Sequence, residues 1–117
     1  VYTLHYLKSE TIIKELAHVL VLIATLTAKP GQETALETLL RAMVPKVRSE
    51  QGTLEYTLHQ SAEQQGRFLF YEKYADRAAF DRHCATPYFK ELMAAVSPLL
   101  GGAPTMDFSE VLVSARD

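Results

Sequence analysis

The chain has 117 residues, 48% of them hydrophobic and 22% charged, and a net charge of −2. That length suits one domain with its own core, and the mixed charges leave no basic stripe for nucleic acid and no acidic solvating tail. The longest apolar run, Val19 to Leu26, is broken by Thr25 and falls far short of a membrane span.

Residues 1–18 are set apart as an N-terminal extension, and residues 19–117 are read as one domain. In the extension, Ser9 is a candidate cap for a short helix ending near Leu16 or Ala17. It lacks the basic start, long apolar stretch and cleavage site of a signal peptide. The single Cys84 cannot form an internal disulfide, which fits a reducing compartment, so a cytoplasmic location is expected.

Val19 to Lys29 is apolar and β-branched and is stopped by Pro30-Gly31, which reads as a buried strand. From about Gly31 to Gln51, Leu36, Leu39, Leu40, Met43, Val44 and Val47 recur at helical steps. Pro45 inside this pattern should remove the hydrogen bond to Arg41 and kink the helix, and Gly52 should stop it. Thr53 to Gln60 alternates, with Leu54, Tyr56 and Leu58 on one face. A polar turn at Ser61 to Gly66 leads to a second strand, Arg67 to Tyr74. There Phe68, Phe70, Glu72 and Tyr74 share one face; Leu69, Tyr71 and Lys73 share the other. Asp76 is placed to cap a helix reaching about Cys84, and Thr86-Pro87 begins another that Pro98 and Gly101-Gly102 end. Met106 to Ala115 reads as a last strand with Phe108, Val111 and Val113 in the core.

The order strand, helix, strand, strand, helix, strand is that of the ferredoxin-like split βαββαβ fold. This is an α+β arrangement with a four-stranded antiparallel sheet and helices on one face. The opposite face still carries Leu69 and Tyr71. A second copy packed against it would give a homodimer, a dimeric α/β barrel.

Histidine titrates near neutral pH and can take or give a proton. His83 shares the inward face of its helix with Ala79 and Phe80. Glu72, on the face of Phe68 and Phe70, is a candidate proton acceptor or orienter for His83, or else a structural carboxyl. Tyr74 and Tyr56 point the same way and could hold substrate oxygens. His83, Glu72 and Tyr74 are therefore the candidate catalytic group, with Tyr56, Phe68, Phe70 and Tyr88 around the substrate. His59 faces the other way. The histidines lack paired metal-ligand spacing, and no phosphate loop, nucleophile elbow or dinucleotide fingerprint occurs, so neither metal nor organic cofactor is expected.

These residues resemble the antibiotic biosynthesis monooxygenase family over about residues 19–115. The resemblance rests on Ala24-x-x-x-Ala28-Lys29-Pro30-Gly31, Glu50-x-Gly52-x-x-x-Tyr56, Tyr71-Glu72-x-Tyr74, Phe80-x-x-His83 and Thr86-Pro87-x-Phe89. It implies a dimer that oxidises a small aromatic substrate, a quinol or polycyclic phenol, with O2 and without metal or flavin. His83 would be the base, with Tyr74 and Tyr56 on substrate oxygens. The quinol-oxidising branch often has tryptophan where Tyr74 sits, but matches at His83, Thr86 and Pro87. The haem-degrading branch departs at Ala24, Tyr74 and Met93. An isomerase branch that acts on a phosphorylated autoinducer-2 product is similar through Arg67-Phe68, Tyr71-Glu72-x-Tyr74-x-Asp76, His83 and Thr86-Pro87. It has histidine at Tyr88, and Arg67 and Lys90 would have to hold its phosphate. A dimeric binding or stress-response protein without chemistry is the third alternative.

Overall fold

A computed structural model describes residues 18–116; the expected helix within 1–17 lies outside these. The elements run β1 (Leu20–Thr27), α1 (Glu33–Val47), β2 (Thr53–Gln60), β3 (Arg67–Tyr74), α2 (Arg77–Ala85), α3 (Pro87–Val96), a short 3-10 turn and β4 (Thr105–Glu110). The four strands form one antiparallel sheet in the order β2-β3-β1-β4. That is the split βαββαβ arrangement read from the sequence.

The core lies between the helices and one sheet face. Leu22, Ala24 and Leu26 of β1 and Phe68, Phe70, Glu72 and Tyr74 of β3 are buried there. Leu36, Leu40, Met43 and Val47 of α1 and Leu92 and Val96 of α3 close over them. Each Leu, Val, Met or Phe side chain among them contributes about 1.5–3 kcal/mol when fully buried. The alternation along β3 thus decides which residues reach the interior, and it sends a carboxyl there with the aromatics.

Four expectations need correction. Leu54 is not on the core face: it is 54% exposed. A bulge between Thr53 and Glu55 inserts it between pairs, so Tyr56 and Leu58 keep the inward face and Leu54 leaves it. The first helix ends at Val47, short of Gln51. Pro45 lies in its last turn, where the Arg48 amide closes on the Pro45 carbonyl at 3.3 Å. The missing proline N–H therefore comes where the helix is already ending. The last strand stops at Glu110, and every residue in it is exposed. It is an edge strand with β1 on one side only. Phe108 is 43% exposed, Val113 84%, and Val111 is half-buried. Phe108 still sets its ring against Phe80, at 5.3 Å between centroids, with Arg77 over both rings.

Gly52 does not stop the helix; it lets two elements touch. A Cβ there would lie 2.5 Å from the Cβ of Ala79 on α2. Its carbonyl accepts from the Ala75 amide at 2.9 Å. The turn before β2 is thereby held directly against the start of α2. Asp76 caps α2 by accepting from the Ala79 amide at 2.8 Å, and Thr86 caps α3 by accepting from Phe89 at 3.2 Å.

Candidate active site

The close approach at Gly52 brings Glu50 to His83, which lies one turn beyond Ala79 on α2. The two Glu50 oxygens are 2.9 and 3.1 Å from His83 Nδ1. Glu50 also accepts from the Thr53 hydroxyl at 2.7 Å and from the Tyr88 hydroxyl. Two hydroxyl donors beside the ring nitrogen match an ionised carboxylate, which accepts only. Nδ1 then carries the proton and Nε2 the lone pair, an assignment made from the hydrogen-bond pattern.

His83 is buried, with Tyr56, Tyr74 and Phe89 around its ring at 5.1–5.5 Å between centroids. Burial lowers its pKa, opposed by the Glu50 charge and then by the Glu50 hydrogen bond. Burial thus favours the neutral imidazole, whose bare nitrogen can accept a proton.

Glu72 sits on the neighbouring strand. Its carboxylate accepts from the Tyr74 hydroxyl. Burial raises its pKa from 4.5 to about 7; the Tyr74 hydrogen bond opposes this and the charge of Glu50 adds to it. Near neutral pH a share of Glu72 is thus protonated, while burial favours the neutral form of His83. Two titratable groups pushed in opposite senses can serve as acid and base.

A cavity of about 80 Å³ lies between the sheet and the helices. Leu22, Ala24 and Leu26 form one wall, Phe80, Phe89, Leu92 and Met93 another, and Tyr56, Phe70 and Glu72 the floor. Pro104 and Met106 line it too and are exposed, which puts its mouth between α3 and β4. Tyr56 stacks on Phe70 at 4.6 Å. Burial first, then the charges of Glu72 and Glu50, hold its phenol far above the usual range, so it stays an O–H donor.

The candidate residues do not all meet here. Glu72, Tyr56 and Phe70 line the cavity, with His83 directly behind Tyr56 and Phe89. Tyr74 is fully buried with its hydroxyl committed to Glu72, so of the two tyrosines Tyr56 alone lines the cavity. Phe68 lies instead beside an open groove between α1 and β2, and Tyr88 at a surface groove between α1 and α3, where it holds Glu50. Glu50, not Glu72, is the carboxylate on His83. The contact joins residues 33 apart, which periodicity does not reveal; the one local signal is its place in Glu50-x-Gly52. Among the described residues no three His, Cys, Asp or Glu group closely enough to hold a metal ion, and no helix is long and apolar enough to cross a membrane.

The sheet order and enclosed site define a ferredoxin-like α+β domain. The sequence profile of antibiotic biosynthesis monooxygenase matches residues 19–95, and the chain belongs to that family. Rv0793 of Mycobacterium tuberculosis, provisionally named a monooxygenase, is 36% identical over 78 residues, 67% of this chain and 76% of that protein. PA3566 of Pseudomonas aeruginosa superposes with a TM-score of 0.78 at 38% identity, covering 84% of this chain and 98% of that one. A Caulobacter crescentus protein provisionally assigned as an antibiotic biosynthesis monooxygenase superposes with a TM-score of 0.78 at 28% identity, covering 91% and 99%.

Proposed function

We propose that the protein is a cofactor-independent monooxygenase that oxidises a quinol or polycyclic phenol with O2. The observation that carries this reading is an apolar cavity whose polar lining is Glu72 and Tyr56, with buried His83 behind it. Family membership supports the reaction class.

Once the cavity widens past Tyr56 and Phe89, Nε2 of His83 takes a proton from the electron-rich substrate, while the Tyr56 hydroxyl donates to the resulting anion. The anion passes one electron to O2, and the radical and superoxide combine in a C–O bond. Protonated Glu72 gives its proton to the distal peroxide oxygen. The O–O bond breaks as Glu72 takes back a proton from the substrate, which leaves a carbonyl and hydroxide. Hydroxide takes the proton held on His83 and leaves as water. One oxygen atom enters the product, one becomes water, and the substrate loses two hydrogens. The apolar walls keep bulk water from the intermediates.

Ligand pockets for small molecules usually measure about 300–1,000 Å³, so the walls must part for a ring system. Met93 and Met106, unbranched and adaptable, stand where that is easiest. The isomerase reading gains nothing from this geometry. Among the described residues lining the cavity there is no Lys or Arg for a phosphate. Arg67 borders a groove with Thr25, His59 and Leu69, which face away from the cavity, and Lys90 is exposed.

The reading includes a cytoplasmic homodimer. Ile23, Leu69 and Tyr71, half-buried on the face opposite the helices, would be covered by a second copy. A dimeric mass by sedimentation at micromolar concentration supports this, and a monomeric mass refutes it. For the chemistry, purified protein should consume O2 with reduced naphthoquinones or anthrones, and His83→Ala should abolish uptake. Equal uptake by the variant refutes the assignment of His83. Turnover of a phosphorylated dione under anaerobiosis favours the isomerase, and no turnover of any candidate favours a binding protein.

A further inference from the structure

We infer that Glu50, clamped by Tyr88 and Thr53, is the positioning residue that fixes the His83 ring and its tautomer for proton transfer at Nε2. The inference rests on the monooxygenase reading for its catalytic consequence, but its structural half stands by itself.

A buried neutral imidazole can present either nitrogen as the base. Here both Glu50 oxygens lie within 3.1 Å of Nδ1, which makes Nδ1–H the favoured form. Nε2 then lies on the ring edge away from Glu50, and the ring packs against Tyr56 and Phe89, at 5.4 and 5.1 Å between centroids, both of which line the cavity. The carboxylate is held from two further directions. Thr53 donates to one oxygen at 2.7 Å, and Tyr88 donates to the other. Those donors come from β2 and α3, so three elements converge on one carboxylate whose task is to face α2. The imidazolium formed when His83 takes a proton gains a directly opposed negative charge. A carboxylate behind a catalytic imidazole acts in this way in other enzymes, where its loss costs about 10⁴-fold in kcat through the wrong tautomer.

The surroundings of Glu50 make the idea testable. It is 13% exposed, against 1% for His83. It borders an open groove of about 500 Å³ with Gly52, Thr53, Arg82 and Thr86. Truncation at residue 50 would therefore leave a hole that a small carboxylate can reach from solvent, with Arg82 at its rim.

The test has two readouts. In protein with ¹⁵N-labelled histidine, NMR should find His83 protonated at Nδ1 with Nε2 bare. Glu50→Ala should shift the ring toward the Nε2–H form, and formate should restore the original pattern. In oxygen-uptake assays Glu50→Ala should lose about 10²–10⁴-fold in kcat with KM little changed, and formate should recover part of the loss. If Glu50→Ala fails to fold, Tyr88→Phe serves instead. It removes one partly exposed donor and should give a smaller loss in the same sense, with a broadened His83 resonance. A wild-type ring protonated at Nε2, or a tautomer unchanged in both variants, overturns the inference. The expected tautomers with no O2 uptake by any variant sustain the positioning role and overturn the monooxygenase reading instead.

Discussion

Glu72 carries an ionisation cost that can be measured without knowing the substrate. The residue is 4% exposed, and burial raises its pKa from 4.5 to about 7. A carboxyl carried from 4.5 to about 7 corresponds to about 3 kcal/mol. The sign follows from proton linkage. Below pH 4.5 both folded and unfolded chains hold the proton, and the group costs nothing. Between 4.5 and 7 the folded state binds more protons, so stability falls as pH rises. Above 7 both are ionised and the full cost is present. Glu72→Gln removes the charge while its amide oxygen still accepts from Tyr74. Denaturant unfolding of both proteins at matched concentration, from pH 4 to 8.5, should show the variant gaining on wild type by about 3 kcal/mol as pH rises. Parallel stability curves would refute the reasoning, because they would mean Glu72 ionises in the fold as readily as in water.

Other outcomes follow from the same geometry. Tyr74→Phe should cost about 1–3 kcal/mol by leaving Glu72 without its donor, and should raise the Glu72 pKa in a carbon-detected NMR titration. Gly52→Ala should cost about 1–3 kcal/mol, since its Cβ would meet Ala79 at 2.5 Å. It should also weaken the Glu50–His83 contact, which the histidine NMR spectrum reads. Asp76→Ala should lower stability by about 0.5–2 kcal/mol through loss of the α2 cap, seen as a lower midpoint in the same denaturant experiment.

Local chemistry made most of the architecture legible. Period-two alternation from Arg67 to Tyr74 assigned β3 and its inward face correctly, because that strand is central and its face packs on the helices. Asp76 and Thr86-Pro87 mark two helix starts; Asp76 caps as read, and the Thr86 side chain caps the second. The failures share a physical cause. Leu54 and Phe108 are apolar by type, yet a bulge and an edge position keep them outside, Val113 lies past the end of β4, and none of this is visible in periodicity. The site was legible in part for the same reason. His83 and Glu72 stand out as titratable groups on apolar faces. The Glu50–His83 pair depends on how closely two distant segments approach, which Gly52 and Ala79 decide in three dimensions. Tyr74 and Tyr56 looked equivalent as strand residues. Hydrogen bonding separates them, since one hydroxyl is taken by Glu72 and the other ring lines the cavity.

The most direct test of the proposed chemistry is isotopic. Purified, metal-free and flavin-free protein should be given a reduced naphthoquinone or an anthrone under ¹⁸O2. The account requires one ¹⁸O atom in each product molecule, the other in water, and no labelled product from His83→Ala. Product formed without label, or formed equally under argon, would contradict it.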